Sequence, residues 1–137
     1  MDTTLTSTPS TSSRGMHVAL WIAQVVLALA FFAASYPKLT TPAGMLAEAP
    51  TGVLLTRFIG ICEFLGALGL LVPAATRIKP ILTPYAAIGL CAVMVLATGF
   101  HAVRGEYGSM PVTIVLGLIA VFIAWGRLKK APIAPRR

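Results

Sequence analysis

Charge is the scarcest property of this sequence, and acidic charge above all. Asp, Glu, Lys and Arg together make up 11% of the chain, and only 4 of its 137 residues are acidic. Soluble domains carry about 25% charged residues, so the shortage excludes an ordinary water-solvated globule. Cysteine is nearly absent as well. Cys62 and Cys91 both fall inside apolar runs, which leaves no basis for a secreted disulfide framework. Histidine is limited to His17 and His101, which the topology below puts on opposite sides of a membrane. Metal sites need three or four converging ligands, so no metal is expected, and a haem held by two axial histidines fails for the same reason. No C-x-x-C pair, P-loop or dinucleotide fingerprint occurs.

Hydrophobic residues make up 57% of the chain, and the mean hydropathy is +0.86. This is the composition of a membrane protein, in which lipid takes the place of a large buried core. The formal charge of +7 could suggest nucleic acid, but the basic residues cluster just beyond the ends of apolar runs, where they act as topology signals. The partner they imply is the lipid bilayer.

Four apolar runs are present, roughly Val18 to Tyr36, Val53 to Val72, Ile81 to Phe100 and Pro111 to Trp125. Residues 1–15 are mostly Thr, Ser and Pro and read as a disordered tail. A basic residue ahead of the first run can mimic a signal peptide, but signal h-regions are about 7–15 residues and this run is longer; a retained helix is expected. Pro37 and Pro73 are expected to end the first and second helices, and Pro84 sits in a first turn, where it is tolerated. Met45-Leu46-Ala47 reads as a short interfacial turn.

The fold expected is all-α, a four-transmembrane-helix bundle with antiparallel up-down topology. The bundle covers residues 16–128, followed by a basic tail over 129–137. With four crossings, Arg14, Arg77, Lys79, Arg127 and the four tail cations share one side, against Lys38, Arg57 and Arg104 on the other. That bias places both termini in the cytoplasm of a multi-pass protein of the plasma (inner) membrane.

Glu63 is the residue that apolar surroundings do not explain. A charge at bilayer centre costs between about 2.5 and 17 kcal/mol, depending on how it is measured. Two readings stay open: a hydrogen-bonded carboxyl that fixes helix register, or a proton or ligand site. At 1.5 Å per residue, Glu63 and Gln24 lie roughly 15 and 18 Å below the outer helix ends. Cys91 falls near the same level. Gln24 is therefore the expected partner of Glu63, the two forming a candidate intramembrane site. Arg57 is six residues away, roughly 120° out of line. Without a cation within about 4–6 Å, depth favours the protonated form of Glu63. Lys38, Arg57, His101, Arg104 and Glu106, with Thr98 and Tyr107, form a candidate outer polar ring, either a solvated membrane edge or a mouth leading down to Glu63. Cys62 and Cys91 are read as small packing residues, as in Cys62-xxx-Gly66 and Ala87-xxx-Cys91.

The chain resembles the DoxX-like family of small four-helix membrane proteins. The likeness lies in Pro37-Lys38-Leu39 closing the first helix, in Arg57 followed by Glu63-Phe64-Leu65-Gly66 and Leu70-Leu71-Val72-Pro73 in the second, and in Ala97 ahead of His101 in the third. It covers roughly Val18 to Leu128. Relatives are linked to membrane oxidoreductases, among them a subunit of a thiosulfate:quinone oxidoreductase, and to oxidative-stress complexes with soluble partners; distant ones act as assembly chaperones. The resemblance therefore implies a redox-associated membrane subunit, part of an oxidoreductase rather than a complete enzyme, whose polar site takes a quinone or other lipid-soluble molecule and which works with other membrane or redox proteins. The alternative is a non-enzymatic assembly, chaperone or scaffold protein. No catalytic residue follows from either.

Overall fold

The computed structural model describes residues 11–137, with side chains from residue 13 onward. In chain order the elements are α1 (Thr11–Thr40), the single-turn α2 (Ala43–Leu46), α3 (Gly52–Thr76), α4 (Leu82–Val103) and α5 (Met110–Trp125), and a π-helical turn (Gly126–Lys130) prolongs α5. The described residues contain no strand. Four helical stretches are long and apolar enough to cross a bilayer, 28, 25, 22 and 21 residues long; the last counts α5 together with its π turn. About 20 residues suffice. Helices are what lipid demands, because every backbone N–H and C=O then finds its partner within the segment.

Each helix lays one stripe of residues, three and four apart, against the others. On α1 the stripe is Leu20, Gln24, Leu27, Phe31 and Ser35. On α3 it is Thr56, Gly60, Glu63, Ala67, Leu70 and Ala74, and on α5 it is Thr113, Gly117, Ala120 and Ala124. Leu27, Phe31, Leu70, Leu90, Met94 and Ile123 form the centre of the core. The opposite faces, with Leu29, Leu65 and Leu96, stay exposed to lipid. Helix α1 packs on α3, α3 on α4 and α4 on α5, while α5 meets α1 more lightly. Small residues set the closest approaches, as is usual where lipid offers no hydrophobic drive. A Cβ on Gly69 would come 2.7 Å from that of Ala86, and one on Gly60 would come 2.8 Å from that of Lys38.

Several helix boundaries lie beyond those expected from the sequence. Pro37 does not end α1, which continues to Thr40. The ring removes one backbone bond, but other donors serve the turn that precedes it. Ser35 Oγ donates to the Phe32 carbonyl (3.0 Å) and the Lys38 ammonium to that of Ala34 (3.1 Å). Pro73 is likewise buried inside α3. That helix stops at Arg77, whose φ of 60° is left-handed. At the other end, residues 11–15, assigned to the tail, are helical, since extending a formed helix adds a hydrogen bond for each residue fixed. The remainder of that expected tail, residues 1–10, lies outside the described residues. Helix α4 runs three residues past Phe100, and the last helical turn includes Lys129 and Lys130.

Reporter fusions placed after Arg137 and within residues 42–50 are expected to give opposite signals. The same signal from both would contradict four crossings.

Candidate functional site

Two cations enter the bundle between helices, one near each end. Lys38 continues the buried stripe of α1, three residues beyond Ser35. Its Cβ lies over Gly60, where a side chain on α3 would block it. Glu63 is one turn further along the same face of α3, and the lysine stem reaches it: Nζ lies 2.7 Å from Oε2. The carboxylate side chain is 4% exposed and the lysine side chain 30%. The expectation that no cation comes near Glu63 is thereby corrected. Lys38 reaches it because α1 does not stop at Tyr36 but continues to Thr40. Arg57 indeed misses Glu63. Its guanidinium donates instead to the carbonyls of Lys38 (2.8 Å) and Thr41 (2.6 Å), which holds the end of α1 against α3. An edge-to-face contact of Phe32 with Phe64, centroids 5.4 Å apart, joins the same two helices.

Gln24 does not reach Glu63. Its amide donates to the Leu70 carbonyl (2.7 Å), and its oxygen accepts from Arg127 Nε (2.6 Å). Arg127 is only 3% exposed, although a basic residue just beyond the last apolar run is expected at the membrane boundary. Its Nη1 donates to the Ala131 carbonyl (3.1 Å) and approaches His17 Nδ1 (3.0 Å). Its guanidinium also lies 5.6 Å from the Trp21 ring centroid, a cation–π distance. Trp21 Nε1 in turn points at His17 Nε2 (3.2 Å). A neutral imidazole accepts at one nitrogen only, so Arg127 and Trp21, both donors, compete for His17. The Arg127 Nη2 is buried without a partner. Gly126 makes this seat possible, because any side chain there would strike Leu20.

The outer ring divides in two. Lys38 and Arg57 belong to the contact between α1 and α3. His101, Arg104 and Glu106 form a separate triad at the end of α4: His101 Nδ1 lies 2.7 Å from Glu106 Oε2 and Arg104 Nε donates to Oε1 (2.8 Å). Thr98 is bonded instead to Thr113 on α5 (2.7 Å). Hydrogen bonds from Arg104, then from His101, hold the Glu106 carboxyl below its ordinary pKa. Cys62 and Cys91 are both free thiols. Among the described residues, no cluster of His, Cys, Asp and Glu could hold a metal ion.

Arg127 was the residue that sequence reading missed, and a signal for it existed. It extends the stripe Thr113, Gly117, Ala120, Ala124 by three residues. The same extension along α1 points to Lys38. A helix ended at Pro37 or at Trp125 stops short of both inward positions.

Lys38→Met strands a buried carboxylate, and Glu63→Leu strands the ammonium; breaking a fully buried pair costs about 3–5 kcal/mol. The cost here is expected to be smaller, because Lys38 is partly solvated. The double variant Lys38→Met/Glu63→Leu should be more stable than Lys38→Met alone, as read by thermal unfolding in detergent. Glu106 has the opposite pH logic to a buried base. Its folded pKa is depressed, so its contribution is complete above the unfolded carboxylate value and is lost as pH falls through the folded one. Unfolding of Glu106→Gln should accordingly depend less on pH across the acid range than that of the unaltered chain.

Comparison with known proteins agrees with this architecture. No curated protein and no solved structure matches the chain. The model of the DoxX-like family does, over residues 22–123. That span holds most of the chain and includes Gln24, Lys38, Glu63 and the α4 triad. The chain belongs to the DoxX-like family.

Proposed function

We propose that this membrane protein is a redox-associated subunit whose Lys38–Glu63 pair binds the oxygenated head of a lipid-soluble quinone and handles its protons. The observation that carries this reading is the open valence of the pair. An ammonium has three N–H donors, and Lys38 uses two of them, on Ala34 and Glu63. Among the described hydrogen bonds none reaches Glu63 Oε1. One donor and one acceptor are therefore left side by side, and the lysine is partly open to its surroundings. A quinone presents carbonyl acceptors that become hydroxyl donors when two electrons and two protons are added. Lys38 suits the first form and Glu63 the second.

Within the pair, Nζ and Oε2 at 2.7 Å can share a proton, and Lys38, partly exposed, can be recharged from the membrane edge. Arg57 and Gly60 position the lysine without touching a ligand. Two apolar grooves lie elsewhere, one of about 290 Å³ between α4 and α5 and one of about 460 Å³ between α1 and α5. Neither includes Lys38 or Glu63, so only the head of the ligand engages the pair and its tail stays in lipid. The electrons come from a partner redox protein. The setting is the plasma (inner) membrane with both termini cytoplasmic.

A non-enzymatic assembly role draws on a different observation. Lys38–Glu63, the Arg57 carbonyl bonds and Gln24 each tie two elements together, as register pins would. Mass spectrometry of protein purified in mild detergent separates the two readings. Quinone is expected in the extract, falling about tenfold or more in Lys38→Met/Glu63→Leu, which loses two hydrogen bonds of about 1 kcal/mol each. Co-purifying membrane proteins without quinone would favour the assembly role, and equal quinone in both proteins would overturn the proposed site.

A further inference from the structure

The end of the bundle at which α1 begins and the C-terminal segment lies is unlike the other end. Arg77, Lys79, Lys129, Lys130, Arg136 and Arg137 are all exposed there. None of them takes part in an ion pair among the described residues, whose three salt bridges all lie toward the loops at the opposite end. Two of these residues, Arg77 and Arg136, are tied together through the chain's own backbone. Arg77 Nε donates to the Ala134 carbonyl (2.9 Å), and Arg136 N donates to the Arg77 carbonyl (2.8 Å). This clamp folds the C-terminal segment back onto the turn between α3 and α4 and brings Arg136 beside Arg77.

The turn itself is costly in conformation. Arg77 and Lys79 have φ of 60° and 47°, values at which glycine or asparagine would be the usual choice. Strain of this kind collects at ligand clamps. Apolar side chains are interleaved with the charge. Ile78, between the two cations, is 63% exposed, and Trp125 is 45% exposed with the Lys130 ammonium 5.4 Å from its ring centroid. Exposed isoleucine and an interfacial tryptophan fit the boundary between headgroups and acyl chains, where a soluble anion or a nucleic acid would leave them in water.

We propose that this end of the bundle is a binding site for an anionic phospholipid, with the headgroup phosphate held by Arg77, Lys79 and Arg136 and with Ile78 seated among the acyl chains. Clusters of basic residues flanking membrane helices recognise such lipids. The site is independent of the Lys38–Glu63 pair.

The test is native mass spectrometry of the full chain in mild detergent, with dioleoylphosphatidylglycerol and dioleoylphosphatidylcholine added in equal amounts. Phosphatidylglycerol adducts are expected to dominate, and the preference should fall about fivefold for each charge removed in Arg77→Gln, Lys79→Gln and Arg136→Gln. Arg136→Gln keeps the backbone bond to Arg77, so it reports on charge even if the variants in the turn fold poorly. Equal adducts of the two lipids, or a preference unchanged in Arg136→Gln and in the triple variant, would overturn the proposal. Displacement of the lipid by an equal concentration of glycerol 1-phosphate would also overturn it, by showing a site for free phosphate.

Discussion

The contact between Lys38 and Glu63 is the constraint on which the half of the bundle away from the C-terminal segment depends. Glu63 is almost fully buried and its charge is tolerable because the Lys38 ammonium is 2.7 Å away; removal of the lysine leaves the carboxylate buried and unpaired, the costlier of the two losses. Other features follow from that requirement. Gly60 is bare because the lysine Cβ occupies the space, and Arg57 ties down the carbonyls of Lys38 and Thr41. Helix α1 continues past Pro37 so that Lys38 remains on the inward stripe.

The termini end solves a related problem differently. Arg127 is buried with no acidic partner among the described residues, and neutral acceptors surround it: the Gln24 amide, the Ala131 carbonyl and one imidazole nitrogen. A guanidinium spreads its charge over a planar fork of five donors, and can be satisfied this way where an ammonium would demand a counter-ion. Its unpartnered Nη2 shows that the satisfaction is incomplete. The two sites therefore differ in kind. The Lys38–Glu63 pair couples a base to an acid and keeps hydrogen-bonding capacity in reserve, whereas the Arg127 network uses its acceptors to hold α1, α3 and the π turn together. That contrast is why the proposed ligand chemistry is assigned to the Lys38–Glu63 pair.

The separation of the outer polar residues has a similar origin. His101, Arg104 and Glu106 lie within six residues of one another and satisfy each other locally. Nothing drives them toward Lys38 and Arg57, which are already engaged with α3 and with the end of α1.

The sequence alone determined the class of fold. Four apolar runs broken by prolines and polar links admit little besides a helical bundle in lipid, because lipid requires backbone hydrogen bonds to close within each segment. The scarcity of acids made Glu63 conspicuous, and the helical period excluded Arg57 as its partner. Which residue answers Glu63 was decided only by the tertiary structure. A count of depth along ideal helices matched Gln24 to Glu63, but depth says nothing about the direction in which a side chain faces or how far a lysine stem descends. Helix ends misled for a related reason. Proline and tryptophan are local signals, whereas the continuation of α1 to Thr40 and of α5 into its π turn is stabilised by contacts with other helices: Lys38 with Glu63, Arg127 with Gln24, and Gly126 with Leu20. The contact of Arg127 with Gln24 joins residues 103 positions apart, a distance over which periodicity carries no information.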